Sequence, residues 1–453
     1  MAGVGGDNAV TTRWFAELAW LGGNAASPDV LIEAAGERIK AVTPGAARPA
    51  DAVPLGGLTL PGLANAHSHA FHRALRGRTQ RGRGSFWSWR KQMYSVAERL
   101  DPDSYYALAR ATYAEMALAG VTCVGEFHYL HHSAGGRPYA DPNAMGHALV
   151  AAAADAGIRI TLLDTCYLAG GFDVALEGPQ LRFGDGGPEK WQERVALLRS
   201  TAQAKVGAAI HSVRGVPAAD IGTVAGWAAG KEAPLHFHLS EQRAENDACA
   251  ARHGCTPAEL LNEYGALGPR SCAVHATHLT PWDVGLLGAG TTAVCMCPTT
   301  ERDLADGIGP ARALADAGSP IALGSDSHAV IDLLEEARAV ELDERLASQL
   351  RGHWTASELL HAATVAGHAA LGWPEAGRIR VGSPADFVTV NLGGVRLAGF
   401  DPAASLEAAV FAANSADVYS VVVGGRQIVD AARHALVDDV PGALAAAVAA
   451  CYR

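Results

Sequence analysis

Leu58-Thr-Leu-Pro-Gly-Leu-Ala-Asn-Ala-His67-Ser68-His69 runs from an apolar stretch into two histidines two residues apart. On an extended segment residues i and i+2 share a face, so both imidazoles point the same way and suit capture of one metal. Three more apolar runs end on similar chemistry. His238 closes one and stands three residues before Glu241. His275 closes another, in Ala-Val-His-Ala-Thr-His278, and Asp326 follows a third, in Leu-Gly-Ser-Asp-Ser-His328. Histidine and carboxylate are the ligands of a hydrolytic metal whose remaining position stays open for water.

Working outward, strand-like runs recur at 58–64, 121–126, 158–165, 206–211, 235–239, 272–276, 292–297 and 321–324. Helix-like stretches separate most of them. Asp101-Pro102 opens one ending near Gly120, Pro188 opens another expected to reach about Ala204, and 148–156 is alanine-rich; proline in the first turn fits a helix start. Eight buried strands alternating with helices predict an α/β fold, a (β/α)8 TIM-like barrel with its chemistry at the C-terminal strand ends. The first sixty residues read differently, as β segments at 13–21 and 30–42 broken by Gly36. The far end matches them, with β-rich 386–392 and 418–429 and a hairpin turn at Gly424-Gly425. The expected organisation is a small composite β-sandwich domain from residues 1–60 and 375–453, around a barrel at 61–374.

Composition narrows the function classes. The chain has 453 residues, 49% of them hydrophobic, and a formal charge of −11. That charge argues against a general nucleic-acid or membrane-surface partner. The start, Met-Ala-Gly-Val-Gly-Gly-Asp, lacks a basic region followed by an apolar one, and no apolar run has membrane-spanning length. Eight scattered cysteines suit reduced thiols in a cytoplasmic enzyme. Cys295 and Cys297 share a strand face, but no second pair stands nearby, so they are expected to be buried structural thiols.

Other polar groups divide by context. His236 shares a face with His238 and is expected to be a satisfied core histidine. Glu241, just past its strand, is a candidate proton shuttle. Asp326 is either a metal ligand or a helix N-cap, and the ligand reading completes the set. His275, better placed than His278, is expected to face the barrel centre. His128, His131 and His132 have no matching carboxylate close in sequence and are expected to line the mouth. Arg73, Arg76, Arg78, Arg81, Arg83, Arg90 and Lys91 crowd the segment after the first histidines. Most of them are expected to be solvated or in subunit contacts. Arg90, framed in Phe-Trp-Ser-Trp-Arg, and Arg214, in His211-Ser-Val-Arg, are cations expected at the mouth. Arginine forks match carboxylates, so together they suggest a small anionic substrate.

These segments resemble the amidohydrolase superfamily. His67-Ser-His-Ala-Phe, Trp89-Arg90, Glu126-Phe-His-Tyr129, His211-Ser-Val-Arg214, His238-Leu-Ser-Glu241-Gln, Val274-His275-Ala-Thr-His, Cys297-Pro-Thr-Thr-Glu301 and Gly324-Ser-Asp326-Ser-His carry the resemblance. More narrowly they are similar to its formimidoylglutamate deiminases, which belong to histidine degradation. The resemblance implies one zinc per subunit, replaceable by iron or manganese, held by His67, His69, His238 and Asp326. It implies Glu241, His275 and Asp326 as catalytic groups, and Arg90, Tyr129, His211 and Arg214 as substrate contacts. It further implies a cytoplasmic homodimer. His72 stands where that family commonly has glutamine, a position the resemblance places near the formimino end. Two rivals stay open from the residues alone. One is a deaminase of a guanine-type heterocycle, or an amidase. The other is a non-catalytic barrel that only binds.

Overall fold

A computed structural model describes residues 11–81, 83 and 86–453, with the side chains of Phe86 and Trp87 excepted. The start of the chain and part of the aromatic frame before Arg90 therefore lie outside the described residues. Two eight-stranded sheets organise the molecule. One is wholly parallel and ordered as in the chain, from Leu63–Ser68 through Val121–His128, Arg159–Cys166, Ala204–Ile210, Leu235–Leu239, Ser271–His275 and Ala293–Met296 to Ile321–Leu323. Past the last strand, Asp326 bridges to Ser68, and its N–H donates to the His67 carbonyl at 3.0 Å. The His69 N–H returns a bond to the Asp326 carbonyl at 3.3 Å. The barrel is thus closed beside the residues singled out by sequence. Its strands are buried on both faces and so lack alternation.

The helices around the barrel begin where the sequence signals them. Asp101 caps Pro102–Leu118, accepting from the Ser104 N–H in a reciprocal capping box. Thr256-Pro and Thr280-Pro open Pro257–Glu263 and Pro281–Ala289 in the same way, with acids at the third helical position. The helix at Pro188 stops at Val195, well before Ala204. Ser200 and Thr201 explain this: their hydroxyls accept the N–H groups of Val206, Gln203 and Ala204 and compete with a helical ladder.

The second sheet joins both chain ends in one ladder. Val53–Pro61 sits between Thr11–Ala19 and Phe387–Val390. The run at 58–64 therefore divides between the two sheets, its larger part in the end sheet, while the first barrel strand begins only at Leu63. Gly62 makes the changeover: a Cβ there would meet the Thr122 side chain at 2.2–2.8 Å. Trp14, Ile32, Phe387 and Val422 form a separate core against this sheet, with Trp14 and Phe387 packed edge-on at 5.1 Å. The final helix, Val440–Ala450, returns to pack on Pro102–Leu118. No described helix is long and apolar enough to cross a membrane.

Candidate active site

The strand ends bring His67, His69, His238 and Asp326 together, with one ligand-type atom from each all within 4.8 Å of one another. His67 Nε2 stands 3.2 Å from His238 Nε2 and 3.2 Å from Asp326 Oδ1, and His69 Nε2 is 3.3 Å from the same oxygen. His69 Nδ1 donates to the Phe127 carbonyl at 2.9 Å, and His238 Nδ1 to the His211 carbonyl at 2.8 Å. Carbonyls only accept, so these bonds fix the tautomers and turn the Nε2 lone pairs inward. Burial holds His67, His69 and His238 below the ordinary imidazole range, which keeps them neutral. Burial alone would raise Asp326, but its contact with the surrounding histidines, His67 foremost, outweighs this and holds it well below the usual carboxylate range. Lone pairs facing one another and an anionic oxygen repel unless a cation lies among them. The donor set therefore fits a divalent metal.

The backbone at these strand ends is strained. His275, Ala276, Asp326 and His328 have φ of 68°, 51°, 40° and 57°, and Ser240 has 50°. Such left-handed conformations cost energy in residues with a Cβ and gather at functional sites. Gly324 makes room from below: a Cβ there would meet His67 Cβ at 2.8 Å and the sulfurs of Cys295 and Cys297 at 3.0 Å. Those two sulfurs are buried and 4.0 Å apart.

His275 sits among three carboxylates. Its Nε2 is 3.9 Å from Asp326 and 4.0 Å from Glu241, and its Nδ1 is 3.4 Å from Glu301. Burial would lower it, but the Glu301 hydrogen bond and the charges of Glu241 and Asp326 push it up to about 10. Glu301 is itself held by the Cys297 N–H at 2.9 Å. Glu241 approaches Arg214 at 3.6 Å, and Arg214 Nε donates to Glu245 at 2.6 Å. Glu126, beneath the site, accepts from the Ala70 N–H and the Ser68 hydroxyl; burial pushes it up to about 7.

One pocket collects these groups. Its walls include His72, Trp89, Arg90, Tyr129, His211 and Arg214, with Glu241 and His275 beside the ligand cluster. His72 Nε2 lies 3.1 Å from the Tyr129 hydroxyl, and burial lowers its pKa to about 3. The His211 ring packs on Tyr167 at 4.0 Å. A roomier hollow of about 590 Å³ lies between the opposite end of the barrel and the end sheet, near Trp20, Trp354 and Arg378. It gathers none of the convergent ligand-type groups, so we place the chemistry in the smaller pocket.

Other expectations resolve around it. His236 is buried and donates to the Ala370 carbonyl at 2.9 Å. The basic segment is largely tied down elsewhere: Arg73 and Arg76 share Glu115, and Arg78 stacks on Tyr452 at 3.9 Å. Of that segment, Arg90 reaches the pocket. His128, His131 and His132 are buried rather than lining the mouth, and carboxylates do reach them. His132 pairs with Asp185 at 3.0 Å, and His128 and His131 gather with Asp164. The correction comes from the fold, which pairs strand ends distant in sequence. Asp164 is already occupied by the Arg194 fork at 2.8 Å and the Trp191 indole N–H, so we read this cluster as structural. Sequence reasoning missed Glu245, Glu301, Tyr94, Tyr167 and Gln180. Glu301 stood within a quoted motif without a role; the others carried no local signal.

The sequence model of the amidohydrolase family matches residues 58–428. A formimidoylglutamate deiminase from Pseudomonas aeruginosa is 38% identical over 397 residues, covering 84% of this chain and 86% of its own. An 8-oxoguanine deaminase from the same organism is 29% identical over 395 residues, 83% of each chain. Among solved structures, an amidohydrolase from Brucella melitensis superposes with a TM-score of 0.91 at 33% identity, covering 98% of this chain and all of that one.

Proposed function

This chain belongs to the amidohydrolase family, and from that premise we propose that it hydrolyses N-formimino-L-glutamate to N-formyl-L-glutamate and ammonia, a step of histidine degradation. One observation carries the reading: two guanidinium groups, Arg90 and Arg214, face the same pocket as the metal-type ligand cluster. The substrate is an amidine bearing two carboxylates, and bidentate arginine contacts suit both. A neutral planar heterocycle offers neither guanidinium a carboxylate to bind, which disfavours the 8-oxoguanine type of activity. The deiminase relative supports the same assignment.

His67, His69, His238 and Asp326 would hold the metal, zinc in this reading. When bound, it supplies Lewis acidity and lowers the pKa of water. The chain's own residues do the rest. Asp326 accepts a proton from the attacking water, and His275, steadied by Glu301, orients that water toward the formimino carbon. Glu241 relays to the departing nitrogen the two protons that the water gives up, the first by way of Asp326 and the second as the carbonyl forms, so that ammonia leaves rather than an amide anion. Arg90, Tyr129, His211 and Arg214 fix the glutamyl part, and His72 contacts the formimino end in place of glutamine. A cytoplasmic homodimer completes the reading.

Ammonia release from N-formimino-L-glutamate, measured beside guanine, cytosine and N-formyl-L-glutamate, tests it. Turnover of the first alone is expected. Preference for a neutral heterocycle, or no turnover of any of them, overturns it.

A further inference from the structure

Tyr94 lies on the helix Phe86–Arg99, one turn after Arg90, so the two share a face. Arg90 Nε donates to the Tyr94 hydroxyl oxygen at 2.6 Å. The Gln180 amide nitrogen donates to the same oxygen at 3.0 Å and approaches the Tyr167 hydroxyl at 3.4 Å. The orientation of that amide is fixed independently, because its oxygen accepts the Glu177 N–H at 3.3 Å. Gln180 therefore presents N–H groups, not its oxygen, to the phenols.

The turn that carries Gln180, Gly178–Arg182, is well anchored. The buried Arg182 guanidinium donates to the carbonyls of His132 at 2.8 Å, Leu100 at 2.5 Å and Ala97. The phenol oxygen of Tyr94 thus receives two N–H bonds, one of them from the anchored turn that carries Gln180. A phenol also owns one proton to donate, and neither a guanidinium nor an amide nitrogen can accept it. Tyr94 lines the pocket beside Arg90, Tyr129 and Tyr167. The direction left for its O–H is the pocket.

We propose that Tyr94 is a substrate-binding residue, donating its hydroxyl proton to the carboxylate that Arg90 binds, and that Gln180 is a positioning residue that holds this donor. Arg90, Tyr94 and Gln180 then form one polar wall selecting an anionic group at a set distance from the ligand cluster. This rests on the reading in which the pocket takes a dicarboxylate. Two N–H bonds polarise the phenol toward donation, and an O–H bond to a charged acceptor is stronger than one to a neutral group.

Tyr94→Phe removes only the hydroxyl. With N-formimino-L-glutamate its KM is expected to rise about tenfold, with kcat within about twofold, the size of one hydrogen bond to a charged group. Two monocarboxylate analogues, each lacking one of the substrate's carboxylates, separate this from general damage: one of them should be processed alike by wild type and variant. Tyr94→Phe added to Arg90→Met should cost less than it does alone. Gln180→Met should raise KM more modestly, again sparing kcat. An unchanged KM in Tyr94→Phe, or an equal loss on all three substrates, overturns the proposal. Calorimetry with glutarate as the probe separates it from the functional reading. A wild type inactive on N-formimino-L-glutamate refutes that reading, yet Tyr94→Phe should still bind glutarate about tenfold more weakly. Equal glutarate affinity in the two proteins, or no glutarate binding by wild type, overturns the role of Tyr94.

Discussion

Glu241 and Arg214 touch each other, yet their removal should have different consequences. Glu241 stands outside the ligand cluster and near His275. Glu241→Gln preserves its shape and removes its proton traffic. It should keep about one metal per chain by elemental analysis and lose roughly 10²–10⁴-fold in rate. Near-normal turnover would shift the proton transfer to His275. Arg214 is different because Glu245, itself buried, depends on it. Burial raises Glu245, and the charge and hydrogen bond of Arg214 oppose that. From sequence alone, Arg214→Met removes only a pocket cation and is expected to spare stability. The structure reverses this: the substitution strands a buried carboxylate, at about 3–5 kcal/mol by analogy with broken buried pairs. Arg214→Met should therefore lower the Tm, and adding Glu245→Gln should restore most of it. The double variant should still lose at least tenfold in kcat/KM, because the fork is gone. Full activity in that variant would remove Arg214 from substrate binding.

Gly324 shows how an element serves the site without contributing a ligand. It follows the short eighth strand Ile321–Leu323 and leaves space for His67. Gly324→Ala should push His67 off its position, so metal content should fall below one per chain even where the protein folds. A variant with full metal content would show that the strand yields instead. The barrel strands were legible because buried runs ending in His, Glu or Asp are unusual and recur. The end sheet was legible from its turn residues. Two boundaries were not. The switch at Gly62 depends on a neighbour, Thr122, sixty residues away, and the stop at Val195 depends on Ser200 and Thr201 offering the backbone other partners. Nor could sequence show that Asp164 and Asp185 reach the histidines after the second strand. That buried cluster has a pH signature. Burial would raise Asp185, but hydrogen bonds from His132 and Arg194 outweigh it and hold it far below the usual carboxylate range. A depressed folded-state pKa gives stability that is present above the unfolded value of about 3.9 and is lost as pH falls below it. Asp185→Asn should thus melt earlier than wild type at neutral pH, and the gap should narrow below about pH 4. A gap constant with pH would mean that Asp185 contributes by packing alone.

At the scale of the whole molecule, the ligand cluster sits on the seam where the barrel closes. His67 and His69 belong to the first strand and its exit, and Asp326 to the exit of the eighth, so these three ligand-type residues face each other across the last gap in the sheet. His238 comes from the opposite side, on the fifth strand. A cation held by all four would tie three distant parts of the chain together, and the unfolded chain cannot present them at once. Binding to the folded state alone stabilises it by about 4 kcal/mol when free metal is a thousandfold above its Kd. The backbone bonds between Asp326 and His67–His69 remain without the metal, so the barrel should persist, though less stable. Treatment with a strong chelator should abolish ammonia release, leave the far-ultraviolet circular dichroism largely unchanged and lower the Tm by several degrees. Zinc should restore both activity and Tm. Asp326→Ala should bind metal more weakly, and its melting should respond less to added zinc than that of wild type. If the chelated protein were metal-free by elemental analysis yet still fully active, the metal would take no part in the reaction. The cluster would then be a structural closure of the barrel.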